Sequence, residues 1–447
     1  MDHESISLTI GKAWKAIYSR PLVWDTFTTT FFSSMGKAVG FLIPFFIAAW
    51  FGVTTETDAF FFTYGIILFV SGIFAPVVET VIVPYVTEAR TKNEDVGRFV
   101  GGVLSVSGVS ILILLGIVLF FIRPILSVIA RFDMQSLNLV YRLLIEMAPL
   151  IMLLIWASIL AGTLNAYKKF AFPALSPAFR AIVNLSILFI FKEIFGVHAI
   201  ALGYVLGEAF RLAILVSVIK RMNLLKLSLS LQLDPKLREF LKTASYQTIG
   251  MAAVGLNPVV DKTMASWLGP GSVSVLHYAD RLYMIPVTFM TTGLMATLLS
   301  HWSGRYYESG RQRLSEDVKK AVKVVGFITL PIMLLLIFIH QPIVKIAFGH
   351  GVFDKTRLTA VGWVWVYYLF GFGPYVVSQI FNWRLIVLKQ TRLMFILSLL
   401  WLSLNIVLNI ALMHFLHVAG IALSTSLVYG IASVVLFSIL KKDQRVK

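Results

Sequence analysis

The chain has 447 residues, of which 58% are hydrophobic and only 14% are charged, with a formal net charge of +17 and no cysteine. A soluble protein carries about 25% charged residues, so the composition excludes an ordinary soluble domain and indicates a polytopic membrane protein. The absence of cysteine excludes disulfides and thiol chemistry. The N-terminal residues contain no apolar stretch followed by a small-residue cleavage site. We therefore expect no removable signal peptide, with the first span acting as the insertion signal.

Apolar stretches of about 20 residues, the length that crosses a bilayer, recur along the whole chain. We predict twelve such spans. The fold class expected from them is an all-α polytopic membrane protein with two pseudo-symmetric six-helix lobes. The predicted spans cover residues 27–51, 58–86, 99–122, 140–166, 171–192, 197–219, 243–268, 273–303, 321–341, 359–383, 393–414 and 417–440.

Lysine and arginine are concentrated in alternate loops. The loops TTETD at 54–58, GPGS at 269–272 and LHVAG at 416–420 contain neither residue, whereas 220–242 and 304–323 are rich in both. Basic loops stay on the cytoplasmic side, so this asymmetry places both termini in the cytoplasm of an inner-membrane, multi-pass protein. It also accounts for the net charge of +17 without nucleic acid, which we do not expect as a partner.

The two halves of the sequence resemble each other. VHAIALG at 197–203 matches VAGIALS at 418–424, with an offset of 221 residues. Two repeats of six spans share one orientation, which predicts an N-terminal lobe at 1–222, a cytoplasmic linker at 223–242 and a C-terminal lobe at 243–447. The alternative is chance similarity between leucine-rich helices. The linker sequence LKLSLSLQLDPKLREFL is also compatible with an interfacial amphipathic helix.

Asp280 and Arg281 interrupt the eighth span within the sequence LHYADRLYMIP. Charges within spans are functional candidates because burying them is costly. A guanidinium in a wet cavity suits a phosphate or diphosphate, so we predict that Arg281 binds an anionic headgroup. Asp280 then orients Arg281 or pairs with Lys262. The alternative for both charges is a structural ion pair with another helix.

The seventh span carries Asp261 beside Lys262, and the eleventh carries Asn405 and Asn409 four residues apart. With Thr425 of the twelfth span, these side chains offer one carboxylate and several neutral oxygens. That is the ligand chemistry of a hard cation such as Na⁺. The alternative is hydrogen bonding between helices.

In the first half, Lys37 and Arg180 are basic candidates for the same cavity as Arg281, whereas Glu208 and Arg211 are predicted to pair with each other. The chain contains no H-E-x-x-H motif, no G-x-S-x-G motif and no P-loop. We therefore expect a transporter rather than an enzyme. Apart from Na⁺ as the candidate coupling ion, we expect no metal and no cofactor.

Five stretches of the sequence carry a resemblance: FGVTTETDAFF at 51–61, AGTLNAYKKFAFPALSP at 161–177, GPGSVSVLHYADRLYMIP at 269–286, GHGVFDKT at 349–356 and LNIVLN at 404–409. Together they resemble the MurJ/MviN lipid II flippase family, within the multidrug/oligosaccharidyl-lipid/polysaccharide exporter superfamily. The resemblance implies two six-helix lobes around a central cavity. It implies a bacterial inner-membrane flippase that moves an undecaprenyl-diphosphate-linked saccharide to the outer leaflet by alternating access. We expect a monomer whose partners are this lipid-linked oligosaccharide and membrane lipids.

Residue by residue, the resemblance implies that Arg281 is the family's cavity arginine. It implies a sodium site at the positions Asp261, Asn405, Asn409 and Thr425. The sequence departs from the family in the first lobe, where Ser71 and Gly72 replace paired arginines, and Ile43 and Pro44 replace an Arg-Asp pair. The expected substrate is therefore lipid II or a related lipid-linked glycan. The alternatives are an ion-coupled exporter of small amphiphilic molecules on the same fold and a non-transporting membrane scaffold.

Overall fold

The computed structural model describes residues 38–388 and 390–445. At 246, 249–254, 292–301, 303–311, 391 and 442–445 it describes the backbone alone. Within these residues every regular element is a helix and there is no strand, which confirms the predicted all-α class.

The helices follow one another with short connections. They are α1 (Ala38–Phe51), α2 (Thr55–Thr91), α3 (Val96–Ile129), α4 (Met134–Ala166), α5 (Ala171–Phe195), α6 (His198–Arg221), α7 (Pro235–Gly255), α8 (Asn257–Ala265), α9 (Ser272–Phe338), α10 (His340–Phe348), α11 (Lys355–Leu369), α12 (Phe372–Val387), α13 (Thr391–Leu416) and α14 (Val418–Arg445).

Eight helices in the described part of the chain are long and apolar enough to cross a membrane. The count is nine if α11 and α12, which meet at a bend of 42°, form one span. The predicted spans outside this count are 27–51, 243–268 and 273–303. The first begins outside the described residues, the second is broken, and the third is the start of α9, which is partly described by its backbone alone.

A break between α7 and α8 divides the predicted seventh span. Pro258 has no N–H group and cannot continue the hydrogen-bond ladder of α7. Instead, the N–H groups of Val259 and Val260 both donate to the carbonyl of Leu256, each at 3.0 Å. As a result, Asp261 lies in the first turns of a new short helix. At its other end α7 begins at Pro235, within the stretch 223–242 that was predicted as linker.

Helix α9 continues through the stretch 304–320, which was predicted as a loop. Both of its ends nevertheless line one apolar cavity of about 380 Å³, Leu282–Met290 from one side and Ile332–Leu336 from the other. A straight helix would separate these ends by about 70 Å at 1.5 Å per residue. The axis of α9 therefore turns between Met290 and Ile332.

The described chain packs into two compact units. The first takes in the chain up to Ile43 together with Val70–Phe121 and Leu144–Thr248. The second takes in Pro44–Phe69, Ile122–Leu143 and the chain from Ile249 onward. The second unit thus combines segments from both halves of the sequence, and the predicted lobes at 1–222 and 243–447 stay a prediction.

The sequence repeat has a counterpart in one turn. Gly196 ends α5 with φ 54° and ψ −133°, and His417 ends α13 with φ 49° and ψ −131°. The two residues are separated by 221 positions, the offset of the repeat. Their N–H groups both donate to the carbonyl four residues earlier, that of Lys192 at 3.0 Å and that of Met413 at 3.0 Å. The second copy therefore holds a histidine in a conformation that favours glycine.

We predict that His417→Gly stabilises the protein by about 1 kcal/mol, because glycine adopts this conformation without the steric cost that a Cβ atom adds. The thermal unfolding midpoint in detergent should rise by a few degrees. The matched control is His414→Gly, within helix α13, which should lower the midpoint because glycine weakens a helix interior. A fall in both variants would contradict the equivalence of the two turns.

Candidate functional site

The side chains predicted to bind a cation meet in the second unit. Asp261 on α8 accepts a hydrogen bond from Asn409 Nδ2 at 2.7 Å. The same amide lies 3.2 Å from Asn405 Oδ1, and Thr425 Oγ1 lies 3.4 Å from the second carboxylate oxygen of Asp261. The spacing of Asn405 and Asn409 places both on one face of α13, as the sequence predicted. Three separate helices thus supply one buried oxygen-rich cluster.

Two oxygens of this region have no hydrogen-bond partner among the described residues. They are Asn409 Oδ1, within the cluster, and Asn257 Oδ1, one helical turn before Asp261. A buried acceptor without a donor is costly, and a cation is one group that satisfies such an acceptor. No three His, Cys, Asp or Glu side chains converge within the described residues. The donor set of the cluster, one carboxylate with neutral oxygens, fits a hard cation such as Na⁺.

Lys262 directs its charge away from the carboxylate beside it in sequence. Its Nζ donates to the backbone carbonyl of Phe61 at 2.9 Å. Its stem lies over Gly65, where an added Cβ would be 2.9 Å from Lys262 Cδ. The ring of Phe61 stacks on His277 with centroids 3.9 Å apart. Segment 61–65 of α2 therefore forms the surface on which Lys262 and His277 rest.

Arg281 has no carboxylate partner at short range. No ion pair within 4.0 Å joins Asp280 to Arg281 or to Lys262 in the described residues, although Asp280 interacts electrostatically with both bases at longer range. Arg281 Nε is buried and makes no hydrogen bond to a described residue. Arg281 thus keeps donor capacity for another acidic group, whereas Lys262 already uses one donor on the carbonyl of Phe61.

The first-half candidates are placed differently. Arg180 belongs to the first unit, where its Nη1 lies 3.1 Å from Glu208 Oε2. Arg211 binds the other oxygen of Glu208 at 2.7 Å, which confirms the predicted pair, and it also donates to Ser176 Oγ at 3.0 Å. Glu208 is fully buried, so Arg180 helps to neutralise it. Lys37 lies outside the described residues.

A second polar cluster, centred on Asp58, was not predicted from the sequence. Asp58 is buried and caps the start of α9: one carboxylate oxygen accepts from Gly271 N at 2.5 Å. The other oxygen accepts from Ser274 N at 2.7 Å and Ser274 Oγ at 2.6 Å. Thr57 lies 2.9 Å from the same hydroxyl. Asp58 on α2 therefore accepts from the N–H group just before α9 and from that of its third residue, whereas Ser272 N donates to the carbonyl of Gly269 at 3.2 Å.

The same region joins a third segment of the chain. Tyr278 OH donates to the carbonyl of Gly52 at 3.0 Å, and Val352 N donates to the carbonyl of Ala49 at 3.1 Å. The ring of Tyr278 packs against Phe348 and Phe353. Three of the motifs noted in the sequence, at 51–61, 269–286 and 349–356, thus converge in one structural joint.

The chain matches a family model described as "Lipid II flippase MurJ" over residues 47–447. A probable lipid II flippase MurJ from Buchnera aphidicola subsp. Acyrthosiphon pisum is 25% identical over 406 residues, covering 88% of this chain and 78% of that protein. A probable lipid II flippase MurJ from Rickettsia prowazekii is 22% identical over 407 residues, covering 89% and 79%.

Solved structures share the fold. A lipid II flippase MurJ in an inward closed conformation superposes with a TM-score of 0.79 at 24% identity, covering 94% of this chain and 87% of that one. An inward-facing multidrug resistance MATE family transporter of the MOP superfamily superposes with a TM-score of 0.76 at 13% identity, covering 94% and 98%. The helical transporter architecture is therefore shared well beyond the range of sequence similarity.

We predict that Asp58→Asn destabilises the protein by about 2 kcal/mol, since hydrogen bonds to a charged group are worth roughly 1.5–3 kcal/mol. The asparagine has the same shape, but its NH₂ group must face a backbone N–H group of α9. Thermal unfolding in detergent measures the loss. The control is Glu56→Gln, which removes a charge from the same turn of α2 at an exposed position and should have little effect. Equal midpoints for both variants would contradict the capping role.

Proposed function

The chain belongs to the lipid II flippase MurJ family, so it is a membrane transporter rather than an enzyme, and we propose that it moves lipid II to the outer leaflet of the bacterial inner membrane by alternating access. The single structural observation that carries this proposal is Arg281. Its guanidinium is half-buried, with a buried, unpartnered Nε atom and no carboxylate within ion-pair distance among the described residues.

The chemistry of Arg281 suits a diphosphate. A planar guanidinium donates two parallel hydrogen bonds to phosphate oxygens, and in partly buried surroundings these are stronger than in water. Lys262 interacts electrostatically with Arg281, and it supplies a second positive charge on a flexible stem. Asp280, beside both, limits the local excess of positive charge. We infer moderate binding that still allows the headgroup to be released on the other side.

The first half contributes less charge to the headgroup than the family pattern implies. Ser71 is buried and Gly72 is exposed, with no atom within 4 Å of an added Cβ atom. Arg180 neutralises Glu208, so we propose a supporting role for it at most. The bases at Arg281 and Lys262 then carry most of the diphosphate recognition. A related lipid-linked glycan is the alternative substrate for a site of this kind.

For the orientation, we propose that both termini are cytoplasmic. The support is the distribution of charge along the sequence, with base-free loops at 54–58, 269–272 and 416–420 and basic loops between them. The joint formed by Asp58 and the start of α9 then lies on the outer side.

We further propose that Na⁺ binds at Asp261 and acts as the coupling ion. The carboxylate of Asp261, the side-chain oxygens of Asn405 and Asn409 and the hydroxyl of Thr425 would hold it. The ion would balance the buried negative charge of Asp261. It would replace the hydrogen bond that Asn409 Nδ2 donates to Asp261 at 2.7 Å. Asn409 Oδ1, without a donor among the described residues, is the oxygen that gains most from it.

We predict that Arg281→Ala abolishes rescue of a bacterial host depleted of its own lipid II flippase, whereas the wild type restores growth. Loss of a charge-assisted pair with the headgroup costs about 2 kcal/mol, or roughly 30-fold in affinity. Arg281→Lys should retain part of the activity because it keeps the charge without the planar fork. The control is Arg142→Ala, an exposed position on α4, with protein levels matched by immunoblot.

Full rescue by Arg281→Ala at equal protein level would contradict the headgroup role. Failure of a well-expressed wild type would redirect the substrate to another lipid-linked glycan. In that case Gly72→Arg, at a position with open space around it, tests whether the missing first-half charge limits lipid II transport.

We predict that Na⁺ raises the thermal unfolding midpoint of the wild type relative to choline at equal ionic strength. A ligand at a hundredfold excess over its Kd stabilises the folded state by about 2.7 kcal/mol. Asp261→Asn should remove this Na⁺-specific rise. The control is Asp133→Asn, the same chemical change at the start of α4, where hydrogen bonds from Ser136 hold the pKa of the exposed carboxyl below its usual value.

The control variant keeps a residue that caps a helix about as well as aspartate, so it should unfold close to the wild-type temperature and keep the full Na⁺ response. An unchanged Na⁺ response in Asp261→Asn would remove this cluster as the cation site, while leaving the lipid II proposal untouched.

A further inference from the structure

The segment between α6 and α7 packs against α3. After Arg221 the chain leaves the helical conformation, and residues 224–234 are non-helical. The carbonyl oxygens of Lys226 and Ser228 occupy the space where a Cβ atom at Gly97 or Gly101 would stand, at 1.9 and 2.0 Å. Only glycine at these two positions of α3 allows the backbones to approach so closely. We call residues 224–234 the strap.

The spacing of these contacts shows that the strap is extended. Gly97 and Gly101 are four helical residues apart, which corresponds to about 6 Å along α3. Lys226 and Ser228 are two residues apart, which corresponds to about 6.6 Å in an extended chain. The two distances are nearly equal, so alternate carbonyl groups of the strap contact successive turns of α3. Ser228 N also lies 3.4 Å from the carbonyl of Gly97.

Both ends of the strap are fixed. At its start, Tyr167 OH donates to the carbonyl of Leu224 at 3.0 Å. At its end, Arg98 donates to Gln232 Oε1 at 2.5 Å, and Asp234 caps α7 by accepting from Leu237 N at 2.7 Å. The strap is therefore a defined structural element, and not a slack connection.

An apolar row lies along one edge of the strap. Leu229, Leu231 and Leu233 alternate with polar residues, and their side chains are 74%, 61% and 47% exposed. In an extended chain, residues two apart point to the same side. Three neighbouring exposed leucines on one side form a surface that is unfavourable in water.

The position of the strap relative to the ends of α3 and α6 indicates what covers the leucine surface. Helix α3 begins at Val96 and is long and apolar enough to span a membrane, and α6, another such helix, ends at Arg221. Gly97 and Gly101 lie in the first turns of α3, so the strap runs at the level where two spans leave the bilayer. Exposed bases accompany it, Lys226 at its start and Arg238 just after it. Leucines beside bases at this level are complementary to a bilayer surface with anionic headgroups.

We propose that the strap is a membrane-interface anchor. Leu229, Leu231 and Leu233 insert between the headgroups of the leaflet next to the N-terminus of α3, and the flanking bases contact anionic lipid. The role is independent of the transported substrate and of the cation site. A soluble protein that covers the leucines is the competing occupant.

The absence of cysteine in the chain makes a clean test possible. Leu229→Cys and Leu231→Cys, each labelled with the environment-sensitive dye NBD, are compared with Ser228→Cys, an exposed polar position just before the leucine row. The full-length protein is placed in vesicles of phosphatidylethanolamine and phosphatidylglycerol that contain lipids spin-labelled near the headgroup. We expect blue-shifted emission and at least threefold stronger quenching at positions 229 and 231 than at 228.

Water-like emission with equal, weak quenching at all three positions in pure lipid vesicles would overturn the proposal, and would leave a soluble protein as the occupant. Replacing phosphatidylglycerol with a zwitterionic lipid should reduce the quenching at position 229. Quenching that does not respond to lipid charge would overturn the part assigned to the bases.

A second variant tests the glycine contact that holds the strap. Gly101→Val in the labelled Leu229→Cys protein places side-chain atoms on the carbonyl of Ser228, and should weaken the quenching at least twofold. The matched control is Gly116→Val on the same helix, where an added Cβ has no atom within 4 Å. Unchanged quenching in Gly101→Val would overturn the positioning of the strap by α3.

Discussion

The candidate headgroup site depends on the hydrogen bonds that the carboxylate of Asp58 accepts at the start of α9. Through three hydrogen bonds of 2.5–2.7 Å to Gly271 and Ser274 it determines where α9 begins. Arg281 follows within the next three turns, so its depth and direction are set by this cap. The N–H groups at a helix start need an acceptor and favour negative charge, and a buried acidic residue meets both needs. A local cap would hold α9 equally well, but only a cap from α2 ties its position to Phe61 and Gly65, on which Lys262 rests.

Three charged side chains in this protein, each wholly or partly buried, have different kinds of contact partner. This difference separates the structural candidates from the functional ones. Glu208 has two arginine partners, so little charge is left for a ligand. Asp261 has only neutral amide and hydroxyl partners, so its negative charge is not balanced by a contact in the described residues. Arg281 has no carboxylate contact there at all. Because an unpaired charge in a membrane protein is costly, the second and third arrangements are the ones for which a function is the better explanation.

The sequence predicted what local pattern determines and missed what depends on distant contacts. The helical class, the repeat and the shared face of Asn405 and Asn409 follow from periodicity and spacing. Asp58 was missed because its partners lie more than 200 positions along the chain, and nothing nearby distinguishes it from an ordinary loop acid. The pairing of Arg180 was missed because the spacing of Glu208 and Arg211 indicated a closed pair, although a carboxylate accepts at both oxygens. The conformation of the linker was left open by the sequence. Its alternating leucines fit an extended segment only when the segment lies against Gly97 and Gly101 of α3.

Close packing of a glycine against a backbone carbonyl recurs at several contacts between segments of this protein. It seats the strap on α3, and it brings α5 and α6 together, where an added Cβ at Gly207 would be 2.7 Å from the carbonyl of Arg180. At Gly351 the corresponding distance to the carbonyl of Ala49 is 1.8 Å. Within a bilayer the hydrophobic effect does not drive helices together, so close backbone packing has to do so. Because backbone contacts hold these helices and Arg281 has no carboxylate partner among the described residues, the charge of Arg281 is not needed for cohesion and remains available to a ligand.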